Sequence, residues 1–194
     1  MSEFTLYFNE GIGHILTIEG YDHILFVVAL CSIYASKDWK KVLILVTAFT
    51  IGHSITLALA SFEVIRVDRN ITEFFIAATL FVTALSNILK KGALVHLTKA
   101  QVNYTYAVLF GLIHGLGFSS GFRSLLGKNF SVVNQLLAFN LGIELGQIVI
   151  VIVSMTLSFI VIHILNVNRR EWNLILSSAI MGIAVMLMIE RIFW

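Results

Sequence analysis

The sequence has no proline and a single cysteine, Cys31, and only 12% of its 194 residues are charged. Roughly ten prolines and about 25% charged residues would be ordinary for a soluble chain of this length. Without proline, helices can run uninterrupted. Without the charge, about half of the surface that keeps a domain in water is missing. One cysteine excludes a disulfide framework and a thiolate-based metal site. What is present instead is apolar: 58% of residues are hydrophobic and the mean hydropathy is +0.92. These values exclude a disordered chain and nearly any water-soluble enzyme of this size, and they indicate a polytopic membrane protein. The net charge of +2 sits in short loops, where it reports topology and not a nucleic-acid surface.

A hydrocarbon core about 30 Å thick needs roughly 20 apolar residues per helix. Six segments qualify: Gly11–Ala35, Lys40–Ser61, Ile71–Leu89, Val102–Phe118, Ser131–Leu165 and Trp172–Phe193. The predicted fold is all-α, a bundle of about six transmembrane helices forming one domain over residues 1–194. Gly20 is a candidate interruption of the first span. The fifth is too long for one perpendicular crossing and requires tilt, a bend or an extension. The loops Ser36–Trp39, Phe62–Asn70, Lys90–Gln101, Ser119–Phe130 and Asn166–Glu171 are too short for a soluble domain. Met1–Glu10 carries no positive charge, unlike the start of a cleaved signal peptide.

Lysine and arginine set the expected orientation. The first, third and fifth loops hold Lys37, Lys40, Lys41, Lys90, Lys91, Lys99, Arg169 and Arg170, against Arg66, Arg69, Arg123, Lys128 and Arg191 on the other side. The positive-inside rule then puts both termini on the non-cytoplasmic side of a cell (inner) membrane.

Ionisable groups at membrane depth cost a few kcal/mol or more each, which makes them functional candidates. The first span contains His14, Glu19, Asp22 and His23, the last three related by i, i+3 and i+4. The second has Thr47, Thr50, His53 and Thr56 at steps of three, with Ser54 beside them; hydroxyls of this kind also bond back to their own helix. In the fourth, His114 lies between Gly111 and Gly115, a small-xxx-small pair suited to close helix contact. In the fifth, Asn140, Glu144 and Gln147 form one polar stripe, with Gly142 and Gly146 largely on the opposite side. The two glycine pairs suit packing either within one chain or between copies in a homo-oligomer. At 1.5 Å per residue, the histidines, Asp22 and Glu144 can meet between the midplane and the outer face.

Histidine and carboxylate together, without thiolate, suit a borderline divalent metal such as nickel, cobalt, iron or zinc. The candidate ligands are His14, Asp22, His23, His53, His114 and Glu144, supported by Glu19, Ser54, Thr56, Asn140 and Gln147. Asp22 has an alternative role, as the carboxylate that orients a ligating histidine. His96 and His163 have no acidic company and read as surface or packing residues. Glu73 suits a helix N-terminus.

Four blocks carry a resemblance. They are Gly20-Tyr21-Asp22-His23-Ile24-Leu25-Phe26, Thr50-Ile51-Gly52-His53-Ser54-Ile55-Thr56-Leu57, Phe110-Gly111-Leu112-Ile113-His114-Gly115-Leu116-Gly117-Phe118 and Phe139-Asn140-Leu141-Gly142-Ile143-Glu144-Leu145-Gly146-Gln147. With them the chain resembles the HupE/UreJ group, particularly its second subfamily. The resemblance implies a hydrogenase- or urease-accessory role and nickel or cobalt permeation. It also implies that the Asp22–His23 pair selects the metal, with His14 as the upstream histidine. The chain departs from the nickel-permease pattern at Phe110 and Gly117, which stand where a histidine and a glutamate would be, and in the wider spacing between His14 and Asp22.

Three functions are compatible with such a site. The first is transport of a divalent metal. The second is a metal-dependent membrane hydrolase acting on a lipid or membrane peptide, with Glu144 as general base on a metal-bound water. The third is a metal chaperone or assembly subunit. Transport requires a polar route beyond the site, for which the sequence offers only Asn87 and His163.

Overall fold

The computed structural model describes residues 2–89, 100–125 and 131–193. Among them are seven α-helices and no strand: α1 (Glu3–Leu16), α2 (Tyr21–Ser32), α3 (Trp39–Ser61), α4 (Arg69–Leu89), α5 (Ala100–Leu125), α6 (Val132–Phe159) and α7 (Arg169–Glu190). Five are long and apolar enough to cross a membrane, and α1 and α2, bent by 67° at the break between them, pass the same test as a pair. The chain is therefore an all-helical, multi-pass membrane protein. The lysines of the loop 90–99, together with His96 and Lys128, lie outside the described residues.

The first span begins eight residues earlier than hydropathy suggests. Ser2 caps α1 by accepting the Thr5 N–H at 3.2 Å, with Glu3 in the first turn, the arrangement that favours a helix start. Thr17 then leaves helical geometry, and a 3₁₀ turn over Ile18–Gly20 leads into α2. Gly20 is required there, because a Cβ would overlap the His14 carbonyl oxygen.

The fourth span runs on to Leu125, so most of the expected loop Ser119–Phe130 is helix. Polar Ser119, Ser120 and Arg123 lower its hydropathy, but Phe122 is fully buried between Tyr7 and Phe139. The Tyr7 hydroxyl donates to the Leu125 carbonyl at 2.7 Å and holds the helix end. The long fifth span stays continuous through a π-helical stretch, Ile160–Ile164. Exposed Ile152, Val153 and Leu157 on α6 give the bundle a lipid-facing surface. His163 is exposed and lies against Phe159 at 4.8 Å between ring centroids.

Two glycine seams set the helix pairing. α3 lies along α5, α1 along α6 and α4 along α7, while α2 touches α4, α6 and α7. At the α3–α5 seam, a Cβ on Gly52 would overlap the Val108 carbonyl and one on Gly111 the Phe49 carbonyl. At the α1–α6 seam, Gly11 meets the Phe139 carbonyl and Gly142 that of Phe8. Backbones this close leave no room for side chains, so residues flanking the glycines are fixed in depth and direction. His53 and His114 flank such contacts, and His14 lies three residues after Gly11 on α1.

Candidate metal centre

The break between α1 and α2 turns two histidines toward each other. His14 ends α1, His23 opens α2, and their ring centroids are 4.8 Å apart. His53 comes from α3, with its ring 6.0 Å from His14 and 5.9 Å from His23. One nitrogen from each of the three lies within 4.8 Å of the other two. His23 and His53 are buried, at 3% and 0% exposure.

The nitrogens are without partners. His14 Nε2, His23 Nε2 and both ring nitrogens of His53 are buried and accept or donate no hydrogen bond. Buried polar groups are normally satisfied, and an orphan costs about 1–3 kcal/mol. Three converging rings, each with an unpartnered nitrogen, offer the donor chemistry that a transition-metal ion takes, since neutral imidazole supplies one lone pair per ring. The residues thus fit a metal.

Asp22 sets the tautomer. His23 Nδ1–H donates to Asp22 Oδ1 at 2.9 Å, and the His23 backbone N–H donates to the same oxygen at 2.8 Å. With Nδ1 carrying the proton, Nε2 carries the lone pair. This is the carboxylate–histidine arrangement that fixes the orientation of a ligand.

Arg191, at the end of α7, brings its Nη1 to 4.0 Å from Asp22 Oδ2. It also donates to the Tyr21 hydroxyl at 3.4 Å and the Glu73 carbonyl at 3.4 Å. Glu73 is held by Arg69 at 2.5 Å. With Arg191 Nε also 3.9 Å from Glu73 Oε2, a chain of alternating charges links His23 to the arginine-rich end of the bundle. The sequence shows Arg191 only as a topology charge, because nothing in its spacing connects the last helix to the first.

The other candidates divide. His114 is buried beside the trio, its ring 5.0 Å from His23. Its Nε2 meets Thr79 Oγ1 at 3.2 Å, and its Nδ1 is unpartnered. Glu144 lies elsewhere: its Oε1 accepts from Thr47 at 2.5 Å, and it is not among the converging ligands. Gln147 Oε1 accepts from Thr50 at 2.7 Å. The Asn140 amide donates to the Leu136 carbonyl. Ser54 and Thr56 bond back to carbonyls of their own helix.

Aromatic rings enclose the histidines. Phe118 lies 3.8 Å from the His14 ring and stacks on Phe139, and Phe49 touches His23, His53 and His114. This shell lowers the local dielectric and strengthens any electrostatic interaction inside it.

No curated protein and no solved structure matches the chain significantly. The protein family described as HupE / UreJ protein does match, over residues 1–192. That span takes in the broken first helix, both glycine seams and all the histidines around the site, and the chain belongs to the HupE/UreJ family.

Proposed function

We propose that the protein binds a divalent transition metal at His14, His23 and His53 and passes it across the membrane. Nickel or cobalt is the cargo that the family resemblance implies, and His114 is an additional ligand along the route. The observation that carries this reading is the convergence of three histidines, each with a buried, unpartnered ring nitrogen, at the break between α1 and α2. Sites formed at broken helices near mid-membrane are a recurring feature of transporters, where half-helices can move separately. Asp22 acts in this reading as the orienting carboxylate. The lysine-rich end faces the cytoplasm of a cell (inner) membrane, both termini face the other side, and residues 1–194 act as one domain. The hydrolase reading gains no support: its general base, Glu144, is bonded to Thr47 and stands outside the histidine trio.

The test is metal binding by detergent-purified protein, read by mass spectrometry and titration with nickel, cobalt and zinc. The His23→Ala/His53→Ala double variant should lose saturable binding by at least about 100-fold, since two of three ligands are gone. Uptake into proteoliposomes should fall with it. Absence of saturable binding by the unsubstituted protein for every metal would sink the proposal.

A further inference from the structure

A cavity of about 210 Å³ lies between α2, α3, α4 and α5. Phe26 and Phe110 line one part of it, and Ile33, Tyr34 and Asn87 another. From Phe26 to Tyr34 the chain advances about 12 Å along the helix direction and arrives next to the Ser36–Asp38 turn. The cavity therefore extends from the depth of the histidines toward the lysine-bearing end.

One wall of it is polar. Thr83, Ser86 and Asn87 line the cavity from α4, and Thr79 lies one turn earlier on the same face. Thr79 is the residue that meets His114 Nε2 at 3.2 Å. The Thr79 and Thr83 hydroxyls donate to the Ile76 and Thr79 carbonyls, at 2.7 and 2.8 Å. Their protons are thus engaged while their oxygen lone pairs remain acceptors. Beyond Thr79, whose oxygen is already engaged by His114, a hydrated cation in the cavity meets the polar groups of Thr83, Ser86 and Asn87.

One ring of the cavity lining, Phe26, also lies beside a histidine. Phe26 lies 5.6 Å from the His114 ring, 5.9 Å from Phe110 and 4.9 Å from Phe49. Phe26 is also three residues after His23 on α2, the half-helix that follows the 67° bend. A displacement of α2 shifts a ligand and a ring together.

We propose that this cavity, with the Thr79–Asn87 face of α4, is the second half of the cation's route, and that Phe26 is the gate closing it from the histidines. The proposal rests on the transport reading but has its own observable, water in the cavity. An apolar hole reached from the lipid would instead hold acyl chains.

The experiment uses full-length protein with Cys31→Ser, which removes the single native thiol. Ala107→Cys and Thr83→Cys report on the cavity, and Val153→Cys, on the lipid-facing surface, is the control. A charged, membrane-impermeant methanethiosulfonate should modify both cavity cysteines at least about tenfold faster than the control, because it reacts with thiolates in water. Cavity cysteines no faster than Val153→Cys, yet labelled by a lipid-soluble maleimide, would overturn the route and assign the space to lipid.

For the gate, Phe26→Ala should raise nickel or cobalt flux into proteoliposomes by about tenfold while metal binding stays within about threefold. Phe110→Ala serves if the first variant does not fold. Water-accessible cavity cysteines with unchanged flux in a folded variant would overturn the gate. Labelling of the cavity does not depend on metal, so failure here is separable from failure of metal binding.

Discussion

The histidine cluster and the Asn140–Glu144–Gln147 stripe look alike in the sequence, yet the fold treats them differently. Both put polar groups where lipid-facing helices should be apolar, and both are built on helical spacing. In the cluster, α1, α2 and α3 each contribute one ring, and the nitrogens converge within 4.8 Å. In the stripe, three residues follow one another along a single helix over about 10 Å, and two of them engage threonines of α3. Each stripe side chain leaves one buried atom unpartnered, at Asn140 Oδ1, Glu144 Oε2 and Gln147 Nε2, but these are strung out along the helix. Polarity inside a membrane thus has two uses: converging lone pairs suit an ion, and paired hydrogen bonds hold helices together.

The most informative way to sharpen that contrast is Asp22→Asn. The amide keeps the size of the carboxylate but can no longer fix the His23 tautomer by charge, and an orienting partner of this kind is worth about 10–100-fold in metal affinity. The expected result is a drop in that range by titration, with His23 and His53 untouched and thermal stability little changed. An unchanged affinity would mean that Asp22 does not orient a ligand.

Arg191→Gln should act in the opposite direction. Its guanidinium lies 4.0 Å from Asp22 Oδ2 and is partly exposed, so it offsets part of the negative charge that favours a cation. A partly screened pair contributes up to about 1 kcal/mol, so its removal should tighten metal binding by up to about fivefold. Weaker binding would show instead that Arg191 holds Asp22 in place through packing.

How much of this was legible in the sequence depends on the range of the interaction. Hydropathy and the absence of proline located the five long apolar helices, because both act locally along the chain. Gly20 as the interruption was readable for the same reason. The helix ends at Glu3 and Leu125 were not, because they depend on Tyr7, Phe122 and the Ser2 cap rather than on mean hydropathy. The convergence of His14, His23 and His53 was half readable: depth could be estimated, but which helices touch is fixed by the glycine seams. Thr79 was missed because a threonine in a membrane helix ordinarily bonds to its own backbone, and this one also does. Only the packing of α4 near His114 gives it a second partner.

The smallest expected effect separates the two regions most cleanly. Glu144→Gln preserves an acceptor for the Thr47 hydroxyl, so the α3–α6 link survives and metal affinity should stay within about threefold. Thr47→Val removes the donor instead and leaves Glu144 Oε1 without its partner, at a cost of about 1–3 kcal/mol. In a double-mutant cycle, the two positions should couple to each other in thermal unfolding. Neither should couple to His23 in metal titration. A loss of metal affinity in Glu144→Gln comparable to that of Asp22→Asn would break the distinction, because a carboxylate bonded only to a threonine has no means of acting on ligands that it does not touch.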